Sequence, residues 1–193
     1  MADNGIKAGE AVEVLVSVIM PAWNCAGTIG KAIDSVLVQD VPLELIVVND
    51  TSPDDLDAVM KTYASDPRVR YVKNEHNLGA SGSRNRGVAL AKGRYVTFLD
   101  ADDWWDEDKL AEQTVVMEQT GCVICSTGRE LMQPDGHTTG KYIPVNERIT
   151  YKDLLKHNSI NCSSVLILRE VALEFPMEHD DSHEDYITWL QVV

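Results

Sequence analysis

Short apolar runs recur between stretches of helical period in this sequence, and that rhythm admits few folds. Val14–Met20, ended by Pro21, reads as a buried strand, as do Leu43–Val48, Val69–Val72, Tyr95–Leu99 and Val123–Ser126. Between them, Ile29, Ile33, Val36 and Leu37 share one helical face behind Thr28 as a cap. Ser52-Pro53 reads as a second helix start, with Ser as N-cap and Pro at the first helical position. Ala80–Ala91 is helical in pattern and Gly93 stops it. Leu110, Thr114 and Met117 fall on one face of a helix starting near Asp106. This alternation predicts an α/β fold: a doubly wound, mostly parallel sheet with helices on both faces. After Gly128 the rhythm changes. Pro134-Asp135-Gly136 marks a turn between two candidate strands within Glu130–Tyr142. Thr150 can cap a short helix through His157, Ser163–Leu168 reads as a further strand, and Glu184–Val193 is helical in pattern.

The 193 residues, 44% of them hydrophobic, suffice for one domain with a real core. Residues 1–13 read as a flexible tail and 14–193 as the folded core. No apolar run approaches the roughly 18 residues of a membrane helix, and Met1–Glu10 is too polar for a signal peptide. The net charge of −14 argues against nucleic acid as a partner. It also means that a phosphorylated substrate is repelled unless a metal ion or local cations intervene. Of the four cysteines, Cys122 and Cys125 form a single C-x-x-C, and zinc would want a second pair or suitably spaced histidines. In a strand, residues three apart face opposite sides. Buried free thiols in a reducing cytoplasm are therefore the expectation for Cys25, Cys122, Cys125 and Cys162.

In a doubly wound sheet, ligands bind just beyond the carboxyl ends of the strands. Pro21-Ala22-Trp23-Asn24 follows the first strand, Asn49-Asp50-Thr51-Ser52 the second, and Asp100-Ala101-Asp102-Asp103 the fourth. The stretch Asn77–Asn85, with Gly79 and Arg84, lies between the third and fourth. Asp100 and Asp102, one residue apart on a turn, can aim oxygens at one hard cation such as Mg²⁺ or Mn²⁺. Acids also favour helix starts, and that reading suits Asp106, Glu107 and Asp108 better. Asp50 can accept from a base N–H or merely shape its turn. Trp23 can stack on that base or belong to the core. Arg84 can meet a pyrophosphate or pair with an acid.

In this order and spacing, the clusters resemble family 2 glycosyltransferases of the GT-A fold. Their Pro-x-aromatic-Asn pattern appears as Pro21–Asn24, their Asp-Asp-x-Ser as Asn49–Ser52, and their Ala-Arg-Asn-x-Gly stretch ends here as Ser83-Arg84-Asn85-Arg86-Gly87. Their Leu-Asp-x-Asp-Asp appears as Leu99–Asp103, and Glu184-Asp185 looks like their Glu-Asp motif. The resemblance covers roughly Val14–Val193. It implies that Pro21, Trp23, Asn24, Asp50, Asn77, Gly79, Arg84 and Asp100 contact the nucleotide, with Trp23 stacked on the base and Asp50 hydrogen-bonded to it. It implies Asp102 and Asp103 as holders of Mg²⁺ or Mn²⁺, and Asp185 as the catalytic base of an inverting displacement. The implied partners are a nucleotide-sugar donor, with UDP foremost, and a carbohydrate or lipid-linked acceptor. The implied setting is polysaccharide or glycoconjugate synthesis in the cytoplasm or at the inner face of the membrane.

Asn49 stands where the family has its first Asp, and Trp23 where Tyr is more usual. Family members usually continue well past the position of Val193, so the chain reads as shortened on its acceptor side. A further C-terminal region would carry any peripheral membrane contact. A nucleotide-sugar-binding fragment without an acceptor cleft is the alternative. A nicotinamide dehydrogenase would need G-x-G-x-x-G after the first strand, where Pro21–Asn24 stands instead. His179 and His183, near an acidic run, read as solvated side chains.

Overall fold

Buried parallel strands are apolar on both faces, and the central strands here follow that rule. In β1 (Val16–Ala22), Val18 and Met20 face one core while Ile19 faces a second. The same split divides Leu45 and Val47 from Ile46 and Val48 in β2 (Leu43–Asn49). A computed structural model describes residues 13–133, 135–178 and 183–193. Almost all of the N-terminal tail, together with Pro134, His179, Asp180 and Asp181, lies outside the described residues.

A six-stranded sheet runs β3-β2-β1-β4-β8-β5, with β3 at Val69–Lys73, β4 at Tyr95–Phe98, β5 at Ile124–Ser126 and β8 at Val165–Leu168. The pairs β1–β2, β1–β4 and β2–β3 are parallel. Strand β8 is inserted antiparallel between β4 and β5, so the expected mostly parallel sheet is observed with one reversed strand. Helices α1 (Ile29–Leu37), α2 (Leu56–Thr62) and α4 (Lys109–Thr120) cover one face of the sheet. The other face carries α3 (Gly79–Leu90), α5 (Tyr151–Leu154), α6 (Arg169–Glu174) and α7 (Glu184–Val192). A separate hairpin joins β6 (Arg129–Met132) and β7 (Thr138–Ile143).

Helix α3 packs on the sheet through small residues. A Cβ on Gly87 would lie 2.2 Å from Ile19 Cγ2, so only glycine permits this approach. At the C-terminal end of α3, Lys92 N and Gly93 N donate to Ser17 Oγ, whose hydroxyl donates in turn to Glu44.

Several local expectations need correction. Strand β1 does not stop at Pro21 but continues to Ala22 along β2. Its ladder with β4 ends at the Ile19–Phe98 pair, so the missing N–H of Pro21 deprives no partner there. Helix α2 is not capped by Ser52. It starts at Leu56, three residues past Pro53, with the Asp55 side chain accepting from Ala58 N. The Ser52 hydroxyl is already engaged, donating to Asp54 and accepting from Asn24 N. Helix α4 begins at Lys109 rather than near Asp106. Thr150 does form a capping box with Asp153, but α5 ends at Leu154 rather than running through His157. All four thiols are free. Cys25 and Cys162 are buried, whereas Cys122 and Cys125 are half-buried.

Candidate functional site

The chain leaves β1 toward β2 and β3 on one side and reaches β4 on the other. This reversal opens a crevice at the carboxyl ends of the strands, the usual ligand position of a doubly wound sheet. The loops after β1, β2 and β4 meet there. Asn24 (φ 51°), Thr51 (φ 58°) and His183 (φ 64°) are the non-glycine residues with positive φ among those described, and they lie in the loops after β1, after β2 and before α7. Strained backbone of this kind, of order 1–3 kcal/mol each, clusters at functional sites.

Two side chains lace the first loop to the second. Asn24 N donates to Ser52 Oγ (2.7 Å), and Ala26 N donates to Asp54 Oδ2 (2.6 Å). Trp23, beside these bonds, stays 57% exposed, so its ring presents a free face at the crevice rather than joining the core. Pro21 is half-buried in β1. Asn49 shapes the second loop: its Oδ1 accepts from Ser52 N (2.8 Å) and its Nδ2 donates to Tyr71 (2.5 Å).

Asp50 is only 3% exposed. Its Oδ1 accepts from Asn74 Nδ2 (2.6 Å) and Leu78 N (2.8 Å). Asn74 also donates to Ser83 and accepts from Arg86, so the Asp50 carboxylate is fixed from behind by a buried network. Asn77 Nδ2 donates to the Asp50 carbonyl (3.0 Å), and Gly79 opens α3 at φ 73°.

The third loop is a tight turn in which Asp103 N donates to the Asp100 carbonyl (3.0 Å). Ala101 packs inward while Asp102 and Asp103 are exposed. Ser163, in the short helical turn Cys162–Ser164 just before β8, supports the turn: Asp100 N donates to its hydroxyl (3.2 Å), and Trp105 Nε1 donates to its carbonyl (2.7 Å). Crowding by protein strips water from Asp103 and raises its carboxyl pKa. The Ser163 hydroxyl and Arg129 temper that rise, whereas the charges of Asp100 and Asp102 add to it. Beside the turn, Lys31 Nζ sits 3.1 Å from the centre of the Trp104 ring.

Arg84 lies at the back of the site. It is buried, with Nη2 2.7 Å from Asp100 Oδ1 and Nη1 2.7 Å from Glu184 Oε1. Burial alone would lower its pKa; the Asp100 and Glu184 carboxylates raise it, and the net shift is upward. Burial keeps Cys162 a neutral thiol, so the two carboxylates hold the cation. Asp185, in the first turn of α7, has its pKa raised by burial and by Glu184, against lowering by Tyr186 N–H, Arg84 and Trp189. The Trp189 indole N–H is close enough to act on Asp185, yet it makes no hydrogen bond of good geometry.

Contacts join the loop of Trp23 and Asn24 to Ser52 and Asp54, join Asn77 to Asp50, and through Arg84 join Asp100 to Glu184 beside Asp185; Asp102 and Asp103 stand exposed on the turn that Asp100 opens. Sequence reasoning missed Asn74, Ser52, Asp54 and Ser163, which hold the loops. Ser52 belonged to a recognised motif; the other three carried no signal in spacing. No helix among the described residues is long and apolar enough to cross a membrane. Nor do three His, Cys, Asp or Glu side chains among the described residues converge as a ready ligand set for a metal. The exposed pair Asp102 and Asp103 fits a divalent ion that draws its other ligands from water and phosphate.

A family model, Glycosyl transferase family 2, matches residues 17–174. The Bacillus subtilis protein TuaG, named for a glycosyltransferase role in teichuronic acid biosynthesis, is 39% identical over 181 residues, covering 93% of this chain and 72% of its own. The Escherichia coli protein WfaP, named a UDP-Glc:α-D-GlcNAc-diphosphoundecaprenol β-1,3-glucosyltransferase, is 36% identical over 93% of this chain and 70% of its own. Among solved structures, Staphylococcus aureus TarS 1-349 in complex with UDP-GlcNAc superposes with a TM-score of 0.76 at 18% identity, over 93% of this chain and 53% of that one. The Pyrobaculum calidifontis mannosyltransferase PcManGT with GDP-Man and Mn²⁺ gives a TM-score of 0.70 at 21% identity, over 92% and 51%. The chain therefore spans about seven-tenths of these curated relatives and about half of the solved chains.

Proposed function

Because the chain belongs to glycosyl transferase family 2, we propose that it forms the donor-binding and catalytic core of an inverting, metal-dependent glycosyltransferase. The donor is a UDP-sugar and the acceptor a hydroxyl on a carbohydrate or lipid-linked sugar. The site faces the cytoplasm, at the inner face of the membrane where a lipid-linked acceptor would lie. One observation carries the reading: Arg84 bridges Asp100, in the turn after β4, to Glu184, the neighbour of Asp185 in α7, while Asp50 follows the carboxyl end of β2 on the other side of β1. The names of the relatives support a sugar nucleotide and a lipid-diphosphate acceptor as the chemistry to test.

In this reading Trp23 stacks on the base and the Asp50 carboxylate accepts its N–H, held in aim by Asn74 and Leu78 N. Asp100 contacts the ribose. Asp102 and Asp103 would hold Mg²⁺ or Mn²⁺, which when bound neutralises charge developing on the departing β-phosphate. Asp185 takes the proton from the acceptor hydroxyl as its oxygen attacks the anomeric carbon and the bond to the β-phosphate oxygen breaks. General-base help of this kind is worth about 10²–10⁴-fold. Its raised pKa leaves the Asp185 carboxylate a better proton acceptor than an ordinary aspartate.

The test is nucleoside diphosphate release by the full-length protein from a panel of UDP- and GDP-sugars with Mn²⁺, with and without a GlcNAc-diphospholipid acceptor. Acceptor-dependent release of UDP is expected. UDP binding without release on any acceptor would leave a nucleotide-sugar-binding module, and no nucleotide binding at all would refute the reading.

A further inference from the structure

Arg84 and Asn85 are neighbours on α3, and each reaches toward the entry of α7. The Asn85 amide grips one residue by both backbone groups: Nδ2 donates to the Met177 carbonyl (2.6 Å), and Met177 N donates to Oδ1 (3.0 Å). Arg84 grips Glu184, the first residue of α7, and on its other side Asp100. Met177 and Glu184 are the two ends of the connection leading into α7. We propose that Arg84 and Asn85 act as a two-point anchor that fixes α7 against the Asp100 turn, and so serve transfer as positioning residues rather than as ligands of the donor pyrophosphate. This rests on the proposed function only for what α7 carries.

Both terminal guanidinium nitrogens of Arg84 are engaged by carboxylates, and Nη1 also lies 4.0 Å from Met177 Sδ, so the fork is turned to Asp100 and Glu184 rather than to a pyrophosphate. A planar, rigid fork can hold two carboxylates at one fixed geometry, whereas a lysine ammonium is a point charge on a flexible stem. With the cation gone, Asp100 and Glu184 would face each other without a counter-charge. The start of α7 would then move, and Asp185 with it. A displacement of about 1 Å is enough to cost roughly 10²-fold in rate. The expected signature is a loss in kcat with little change in donor KM.

The experiment compares the full-length wild type with Arg84→Lys, Arg84→Met and Asn85→Ala. It measures UDP affinity with Mn²⁺, kcat and KM for the UDP-sugar, and amide hydrogen exchange across residues 175–193. For Arg84→Lys and Asn85→Ala, UDP affinity is expected to stay within about threefold while kcat falls about 10–100-fold, and exchange accelerates in α7 alone. In Arg84→Met, the acid limb of kcat should also move to higher pH. Asp185 then loses the cation that lowers its pKa while Glu184 beside it keeps its charge; the Cys162 thiol that also faces it is neutral. Should Arg84→Met fail to fold, the other two variants carry the test. A wild type without turnover removes the proposed function, but the exchange data still decide the anchor. Unchanged α7 exchange in both Arg84→Lys and Asn85→Ala overturns it. So does a tenfold or larger loss of UDP affinity, of the size expected for a direct contact worth about 1.4 kcal/mol, with kcat on bound donor intact.

Discussion

Replacing Asp50 by asparagine separates the two jobs its carboxylate performs. In the folded chain Oδ1 accepts from Asn74 Nδ2 and Leu78 N, and the residue is 3% exposed. Alanine would strand both donors in a buried place, at about 1–3 kcal/mol each, and confuse binding with folding. Asparagine keeps a carbonyl oxygen for both donors, loses the charge, and turns the second acceptor oxygen into an NH2 donor. Weakening two charge-assisted bonds to neutral ones costs about 1–2 kcal/mol, which lowers Tm by roughly 3–6 °C for a chain this size. The nucleotide loses a charged acceptor, worth about 1.5–3 kcal/mol, so UDP affinity should fall about 10–150-fold. Titration calorimetry with UDP and Mn²⁺, beside a melting curve, reads both quantities. If Asp50→Asn lowers Tm as stated but binds UDP within twofold of wild type, Asp50 only braces its loop and the base-recognition argument fails.

Asp185→Asn should reduce transfer at least about 100-fold while UDP affinity stays within about twofold; retention of a tenth of wild-type turnover would exclude Asp185 as the base. Because burial and Glu184 raise the Asp185 pKa, and because the base acts ionised, kcat should decline on acidification at a pH above the ordinary aspartate range. An acid limb that stays near pH 4 would contradict that assignment. Gly87→Ala places a Cβ 2.2 Å from Ile19 Cγ2. It should cost about 1–3 kcal/mol of stability, a Tm loss of roughly 3–10 °C in a thermal melt.

The strands were legible because each central one is a continuous apolar run, and a parallel sheet covered on both faces demands that. The loop clusters followed, since carboxyl ends of such strands are where polar residues with no packing duty stand out. Strand β8 was legible as a strand but not in its direction, since its pairing joins Tyr95 to Leu168, far apart in the sequence. Ser52 misled because its hydroxyl could cap α2 or tie two loops, and only the folded chain shows Asn24 N and Asp54 around it. For Arg84 the sequence left a pyrophosphate or an acid as partner; its ion pairs to Asp100 and Glu184 span three elements, and no local pattern reports which acids they are. The Asn74 bond to Asp50 is equally non-local.

The most direct measurement on the donor site is UDP titration of the protein by calorimetry in Mn²⁺ and in EDTA, repeated on Asp102→Asn/Asp103→Asn. If Asp102 and Asp103 hold the metal as proposed, a chain of net charge −14 should bind UDP appreciably only when a divalent ion is present. Affinity should drop at least about tenfold in EDTA, and the double variant should lose its response to Mn²⁺. Equal UDP affinity in Mn²⁺ and EDTA, or an undiminished Mn²⁺ response without Asp102 and Asp103, would contradict the metal-bridged donor site.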